Sequence, residues 1–375
     1  MRLLHIIESL SGYGGTPRKL LYLAKYTNHE LCRHIFLCYM ASPLKEEFER
    51  NGAIVECLDS PSLLSIVRET VRLTRKHEVD SICTHFTRPL LAGFAAARYR
   101  NLPVIHNEHS SASYRKGIGR QICRLILPRT QMVTCNSFYT KESVQRAFSV
   151  SGNHLAVLHN PVERRTCATE RSEFRGRLGI GKDDLVIGHV GGMIPQRDQK
   201  TLVHAFSELK KCFPGARLIM IGDGSLRPQL EALSSQLGIH ESVRFIGYTD
   251  KVGEYLGAMD VYVNPTLDEG FGIAVVEAML ESLPVVLADK GAHPELVENG
   301  VSGVLYHGGD SNALLQSLQL LADSPDIRAR MGASAKERAL AKFHPQVYAD
   351  NYLRVASETV DAFRSSKMGR MRNQE

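Results

Sequence analysis

Residues 258–272 read Ala-Met-Asp-Val-Tyr-Val-Asn-Pro-Thr-Leu-Asp-Glu-Gly-Phe-Gly, and residues 273–280 follow as Ile-Ala-Val-Val-Glu-Ala-Met-Leu. Val261 to Asn264 is a short β-branched, apolar run between Asp260 and Pro265, which predicts a strand. The apolar run that starts near Gly272 predicts a helix, so Asp268-Glu269-Gly270-Phe271-Gly272 is a strand-to-helix loop. In open parallel sheets such loops lie beyond the carboxyl ends of the strands, where ligands bind. Glu269 then precedes the helix and Glu277 sits about one turn inside it, both near backbone amides that suit an anion. Two acids would repel a diphosphate they touched, so sugar and ribose hydroxyls are their more sensible partners. Taken alone, Glu277 reads more readily as a solvated helix residue.

The same alternation of short strands and helix-length segments runs through most of the 375 residues, the βαβ pattern of parallel sheets. Strands are expected at Leu3–Ile7, Ile35–Cys38, Ile54–Leu58, Ser81–His85, Val104–His106, Met132–Cys135 and Ala156–Leu158. A polar stretch from Asn160 to Thr169 reads as a connector. A second series follows at Leu185–Val190, Arg217–Ile221, Val243–Ile246, Val261–Asn264, Pro284–Leu287 and Gly303–Tyr306, and then long helices from about Asp310 to Arg364. The expectation is two Rossmann-like, doubly wound α/β lobes with a cleft between them.

Apolar residues at 43% and charged residues at 23% fit a soluble globular chain and exclude disordered, collagen-like and coiled-coil readings. The most apolar stretches, Leu90–Ala97 and Leu283–Ala288, fall short of the ~20 residues that a membrane span needs. Met1 to Ile7 lacks the length and cleavage signal of a secretory leader, so a cytosolic chain is expected. Eight cysteines without a CxxC pair read as reduced core thiols. The net charge of +6 is uneven: residues 111–130 hold Arg115, Lys116, Arg120, Arg124 and Arg129 with no acid, and the carboxyl terminus is also basic. The rest is slightly acidic, so a nucleic-acid surface is not indicated.

Other strand-to-helix loops carry further candidates. Gly12-Tyr13-Gly14-Gly15-Thr16-Pro17 has paired glycines that let amides approach a phosphate or sugar, but a dinucleotide fingerprint would need glycine at Pro17. Gly176-x4-Gly181-Lys182 resembles a P-loop only superficially, because Asp183 replaces Ser or Thr and no helix follows. Arg197, in Val190-Gly191-Gly192-Met193-Ile194-Pro195-Gln196-Arg197-Asp198, stands near a helix start where its planar fork can clamp a diphosphate or simply face solvent. His109, just past Val104–His106, can donate to a substrate oxygen or be structural, as most of the fifteen histidines must be. Arg115, Lys116, Arg120 and Arg124 alternate with Ile118, Ile122, Leu125 and Ile126 at helical spacing. That helix either packs on the sheet or lies on anionic lipid.

Taken together, the chain resembles the retaining glycosyltransferases of GT-B architecture, in particular the large fourth family (glycosyl transferases group 1). Gly222-Asp223-Gly224, Phe245-Ile246-Gly247, Ala258 to Pro265, Glu269-Gly270-Phe271-Gly272, Glu277-Ala278-Met279 and Pro284-Val285-Val286 occur in the family's order. Gly14, Gly15, His109 and Asn160-Pro161-Val162 match its first-lobe features. The resemblance implies two Rossmann-like domains facing across a cleft: residues 1–165 binding the acceptor, 166–345 binding the nucleotide sugar, and 346–375 forming a terminal helix that could cross back to the first, with a basic tail. It implies catalytic roles for Glu269 and His109, and donor binding by Gly14, Gly15, Arg197, Gly270, Phe271, Gly272 and Glu277. Gly192 stands where the family commonly has an arginine, which leaves Arg197 to act with backbone amides. No Asp-x-Asp metal motif is recognised, so no metal or other cofactor is expected. The implied partners are a nucleotide sugar and a glycan or lipid-linked acceptor, with peripheral contact at the inner face of an anionic membrane. The product would be a cell-surface polysaccharide or glycolipid. Two alternatives remain: an epimerase of the UDP-N-acetylglucosamine 2-epimerase type, and a non-catalytic sugar-nucleotide-binding protein.

Overall fold

Thirteen strands form in the computed structural model, which describes residues 1–11, 15–58, 62–112, 115–165 and 168–372. The chain divides into two compact units, Met1–Pro161 with Pro345–Glu375, and Val162–His344. The first unit holds β1 (Arg2–Ile7), β2 (Arg33–Cys38), β3 (Ile54–Cys57), β4 (Ser81–His85), β5 (Val104–Glu108), β6 (Met132–Cys135) and β7 (Leu155–Val157). They form one parallel sheet in the order β3-β2-β1-β4-β5-β6-β7. The second holds β8 (Val186–Val190), β9 (Arg217–Ile221), β10 (Val243–Gly247), β11 (Val261–Asn264), β12 (Val285–Ala288) and β13 (Val304–Tyr306), parallel in the order β10-β9-β8-β11-β12-β13. In both sheets the order reverses beside the first strand, the hallmark of a doubly wound fold.

Both faces of each sheet are covered, so alternate residues of one strand enter different cores. Leu3, Ile7, Phe36 and Cys83 pack with Tyr348, Tyr352 and Val355 of the last helix, Pro345–Arg372. Leu4, Ile6, Ile35 and Ile82 pack instead with Ile66, Leu73, Ala92 and Ala96. In the second unit Tyr262, Val285 and Leu287 meet Val275, Val276 and Met279, while Val261, Val263 and Val286 meet Leu202, Phe206 and Leu318.

Some boundaries differ from expectation for identifiable reasons. β5 extends two residues beyond His106, because Asn107 and Glu108 are buried with partners: Thr134 donates to Asn107 Oδ1 at 3.0 Å and Arg115 pairs with Glu108. The terminal helical stretch is three helices, Ser311–Asp323, Pro325–Phe343 and Pro345–Arg372. Proline opens the second and third, and Ser324 caps the second by accepting from Ile327 N–H. Seven described cysteines are free. Cys57 and Cys212 are exposed, not core thiols, while Cys32, Cys38, Cys83, Cys123 and Cys135 are buried; Cys167 lies outside the described residues.

Candidate functional site

Two loops leave the second sheet at its reversal point, one after β8 and one after β11. The first runs through Gly191–Ile194 into a 3-10 turn, Pro195–Arg197, ahead of helix Gln199–Cys212. It is anchored by Met193 N–H donating to Asp223 O at 2.9 Å and by Gln199 Nε2 donating to Gly192 O at 2.8 Å. The second is held by Asn264, whose Oδ1 accepts from Thr266 N at 3.2 Å and from Thr266 Oγ1 at 2.5 Å.

Arg197 joins the two loops. Its Nη1 donates to Thr266 Oγ1 at 3.3 Å and to the Glu269 carboxylate. Arg197 and Glu269 side chains are 30% and 13% exposed, so this ion pair is accessible without being fully solvated. Gly291 makes room for it: its φ is +59°, and a Cβ there would stand 2.5 Å from Glu269 O. Ala292 N–H fixes the same carbonyl at 2.9 Å.

Gly272 precedes helix Ile273–Leu280 with φ +98°, a left-handed conformation that glycine tolerates and that turns the loop into the helix. The first-turn amides of any helix lack intrahelical acceptors and carry partial positive charge. Gly270 is half-buried in this loop. Phe271 is 2% exposed, and its ring meets Phe343 edge-on at 5.5 Å, so its side chain belongs to the core.

Glu277 lies just over one turn into that helix, as its spacing predicts, but it is nearly buried: its side chain is 5% exposed and accepts from Arg165 Nε at 2.7 Å. Arg164 binds Glu281 through two bonds, at 2.9 and 2.8 Å. Sequence reading took 160–169 for a connector and missed Arg165, because nothing in its local pattern tells which acid it reaches. His293 was also missed. Its ring is buried, and Nδ1 lies 2.9 Å from Ala288 O, a pure acceptor, so Nδ1 carries the proton. Burial lowers the His293 pKa, with Glu269 opposing, and Nε2 remains a buried acceptor with no partner among the described residues.

In the first unit, Gly15 is the exposed first residue of helix Gly15–Tyr26, while Gly14 lies outside the described residues. His109 follows β5 and is half-buried; Asn136 Nδ2 donates to its carbonyl at 3.1 Å, and Phe86 lies 5.2 Å from its ring. Its Nε2 is 3.1 Å from His85 Nδ1. Burial, reinforced by Lys19, His106 and Arg115, holds His109 well below the ordinary imidazole value.

The basic stripe requires a correction. The helix begins at Gly117, and Arg115 lies ahead of it with its guanidinium turned inward, 2.8 and 2.7 Å from the two Glu108 oxygens. The Arg120 guanidinium rests over the Phe148 ring at 5.9 Å. Cys123 and Ile126 are buried, but Ile118 and Leu125 are 80% and 63% exposed, beside exposed Lys116 and Arg124.

Residues 13–165 match the family model described as Glycosyltransferase Family 4, and residues 170–338 match that described as Glycosyl transferases group 1. The chain is 29% identical over 306 residues to the GDP-mannose-dependent monoacylated alpha-(1-6)-phosphatidylinositol monomannoside mannosyltransferase of Corynebacterium glutamicum, covering 76% of this chain and 77% of that protein. It is 28% identical over 290 residues to the D-inositol 3-phosphate glycosyltransferase of Streptomyces scabiei, covering 71% of this chain but just under two thirds, 65%, of that longer protein. Among solved structures, Anabaena Alr3699/HepE in complex with UDP superposes with a TM-score of 0.82 at 23% identity, covering 96% of this chain and all of that one. These comparisons do not favour the epimerase alternative. With one family model matching residues 13–165 and the other residues 170–338, together most of the chain, and with two doubly wound parallel sheets, the chain belongs to the fourth glycosyltransferase family and has the GT-B fold.

Proposed function

We propose that this protein transfers a sugar from a nucleoside diphosphate sugar to an acceptor hydroxyl, with retention of configuration and without a metal. The observation that carries the reading is the Arg197–Thr266–Glu269 junction at the reversal point of the second sheet. A diphosphate arriving there competes with Glu269 for the Arg197 guanidinium, and the displaced carboxylate is then available to accept from sugar hydroxyls. Gly270, Phe271 and Gly272 contribute backbone amides, and Glu277, steadied by Arg165, accepts from the ribose hydroxyls. Residues 166–345 thus bind the donor, and residues 1–165, with Gly14, Gly15 and His109, meet the acceptor and the sugar.

In the reaction the bond from the anomeric carbon to the diphosphate oxygen breaks, and a bond to the acceptor oxygen forms on the same face. The acceptor proton passes to the departing phosphate. Charge grows on the leaving group, and each preorganised donor aimed at it is worth about 3 kcal/mol of barrier. His109 positions a reactant and forms no covalent bond. The UDP held by the Anabaena neighbour supports a uridine nucleotide as the first candidate to test.

Ile118 and Leu125, exposed beside Lys116 and Arg124, support peripheral contact with anionic lipid and a lipid-linked acceptor, as does the relative named for a phosphatidylinositol mannoside. No helix among the described residues is long and apolar enough to cross a membrane. Manufacture of a surface glycolipid or polysaccharide at the inner membrane face follows from that acceptor.

A thermal-shift screen of UDP-, GDP- and ADP-sugars tests the donor site, since a ligand of the native state raises apparent stability with ln(1 + [L]/Kd). One nucleotide class should raise the melting temperature of wild type, with Arg197→Ala and Glu277→Ala blunting the rise. An equal rise in both variants would remove the site assignment. Anomeric analysis of the product by NMR tests retention, and an inverted product would refute it.

A further inference from the structure

Four histidines cross the first sheet in a line. His34 lies on β2, His5 on β1, His85 at the end of β4, and His109 just past β5, so they occupy four neighbouring positions in the strand order. The register explains why they meet. Leu3 pairs with His34 and His5 is two residues on; His5 pairs with Cys83 and His85 is two on; His85 pairs with Asn107 and His109 is two on. Side chains two apart share a face, so each step moves one strand across and one pleat upward. The line climbs one face of the sheet towards its carboxyl edge.

Their rings touch end to end. Thr27 Oγ1 is 3.0 Å from His34 Nε2, His34 Nδ1 is 3.0 Å from His5 Nε2, His5 Nδ1 is 3.2 Å from His85 Nε2, and His85 Nδ1 is 3.1 Å from His109 Nε2. Each of the three contacts between imidazoles joins a Nδ1 to the next Nε2, so the chain has one sense throughout. His5, His34 and His85 are at most 1% exposed and Thr27 is 4% exposed. Among the described residues no group of three or more His, Cys, Asp or Glu side chains is arranged to hold a metal ion, consistent with a linear chain and not a convergent site.

Burial holds all four imidazoles below their ordinary value, His34 down to about 3 and the others well below, so each is neutral with one N–H. Each contact then needs one donor and one acceptor, which leaves two arrangements. In one, every Nδ1 carries the proton, Thr27 donates to His34, and His109 presents Nδ1–H away from the chain. In the other, every Nε2 carries it, and the buried Thr27 hydroxyl proton has no acceptor among the described residues. An unsatisfied buried donor biases such a pair by about tenfold or more.

We propose that Thr27, His34, His5 and His85 form a one-way hydrogen-bond relay that sets the tautomer of His109, fixing it as an Nδ1–H donor towards a reactant oxygen. The proposal rests on the reading of His109 as part of the glycosyl-transfer site. Thr27, His34, His5 and His85 are positioning residues; only His109 would touch substrate. Nδ1 of His109 has no hydrogen-bond partner among the described residues, which leaves that nitrogen for the reactant.

The test is a long-range 1H–15N imidazole spectrum of the ligand-free full chain labelled at histidine, with the His109 signals assigned by His109→Gln. Wild type should give a protonated Nδ1 and a bare Nε2 at His109. Thr27→Val removes the hydroxyl at the far end and should lower the Nδ1–H to Nε2–H ratio at His109 about tenfold, towards parity, while Thr27→Ser restores it. A His109 protonated at Nε2 in wild type overturns the relay even if Thr27→Val fails to fold, and so does a His109 signal indifferent to Thr27→Val. Sugar transfer is measured separately. If the spectra behave as expected but His109→Gln transfers sugar at the wild-type rate, the relay stands as a structural chain and the placing of its donor against a reactant is overturned.

Discussion

The inward turn of Arg115 carries a testable energetic consequence. Glu108 is 2% and Arg115 11% exposed; Oε1 accepts from Arg115 Nη2 at 2.8 Å, and Oε2 lies at ion-pair distance from the same nitrogen, 2.7 Å. Removing one partner of a buried pair strands the other charge and costs about 3–5 kcal/mol, whereas a solvated surface arginine costs about 1 kcal/mol or less. Arg115→Met should therefore lower the melting temperature by on the order of 10 °C, given roughly 2–4 °C per kcal/mol for a domain of this size. The effect also has a sign in pH. Burial alone would raise the Glu108 carboxyl, but Arg115 and then His106 outweigh it and hold it below the ordinary value. A depressed folded pKa contributes stability above the unfolded carboxyl value, about 4.3, and loses it as pH falls through the folded value. In Arg115→Met the stranded carboxyl titrates above the unfolded value, so ionisation then opposes folding. The gap between wild type and variant, read by urea unfolding, should be widest near pH 7 and narrow towards pH 4. Glu108→Met/Arg115→Met should recover most of the loss. A cost below about 1 kcal/mol that does not change with pH would refute the buried pair and return Arg115 to the basic surface.

Four further outcomes are expected. Arg165→Ala should weaken donor binding, read by isothermal titration, because Glu277 loses the cation that holds it; unchanged affinity would confine Arg165 to a structural role. Phe271→Ala should cost about 3–5 kcal/mol on denaturant unfolding, as for other buried aromatic truncations, and a cost near zero would contradict its packing on Phe343. Activity should survive EDTA followed by desalting, and its loss with recovery on adding Mg2+ or Mn2+ would overturn the metal-free proposal. Ile118→Glu/Leu125→Glu should leave the melting temperature within about 2 °C, since both side chains face solvent, and should abolish pelleting with anionic vesicles; equal wild-type recovery in the supernatant with and without vesicles would end the lipid proposal.

Ser81–His85, Met132–Cys135, Arg217–Ile221 and Val261–Asn264 were legible to the residue, because short β-branched runs between polar breaks have few other ways to bury themselves. The loop positions of Glu269 and Arg197, and Glu277 one turn into its helix, were equally legible: spacing along one chain places a residue at an element's end. Their partners were not. Arg197 with Glu269, Arg165 with Glu277 and Arg115 with Glu108 join residues brought together only by folding, and a lone charge in sequence reads the same whether it meets water or a buried opposite charge.

The histidine line marks that division most clearly. His5, His34, His85 and His109 lie in separate strands or just beyond them, and none forms a motif with its own neighbours in sequence. Strand order and register put them on one face, one strand and one pleat apart. The sequence by itself determined the alternation of strands and helices, the order of the family's motifs and the loops that carry them, because those follow from local burial pattern and spacing. Tertiary structure alone decided which charges neutralise one another, which aromatic ring fills the core and which imidazoles touch, because burial and contact depend on distances that only the paired sheet defines.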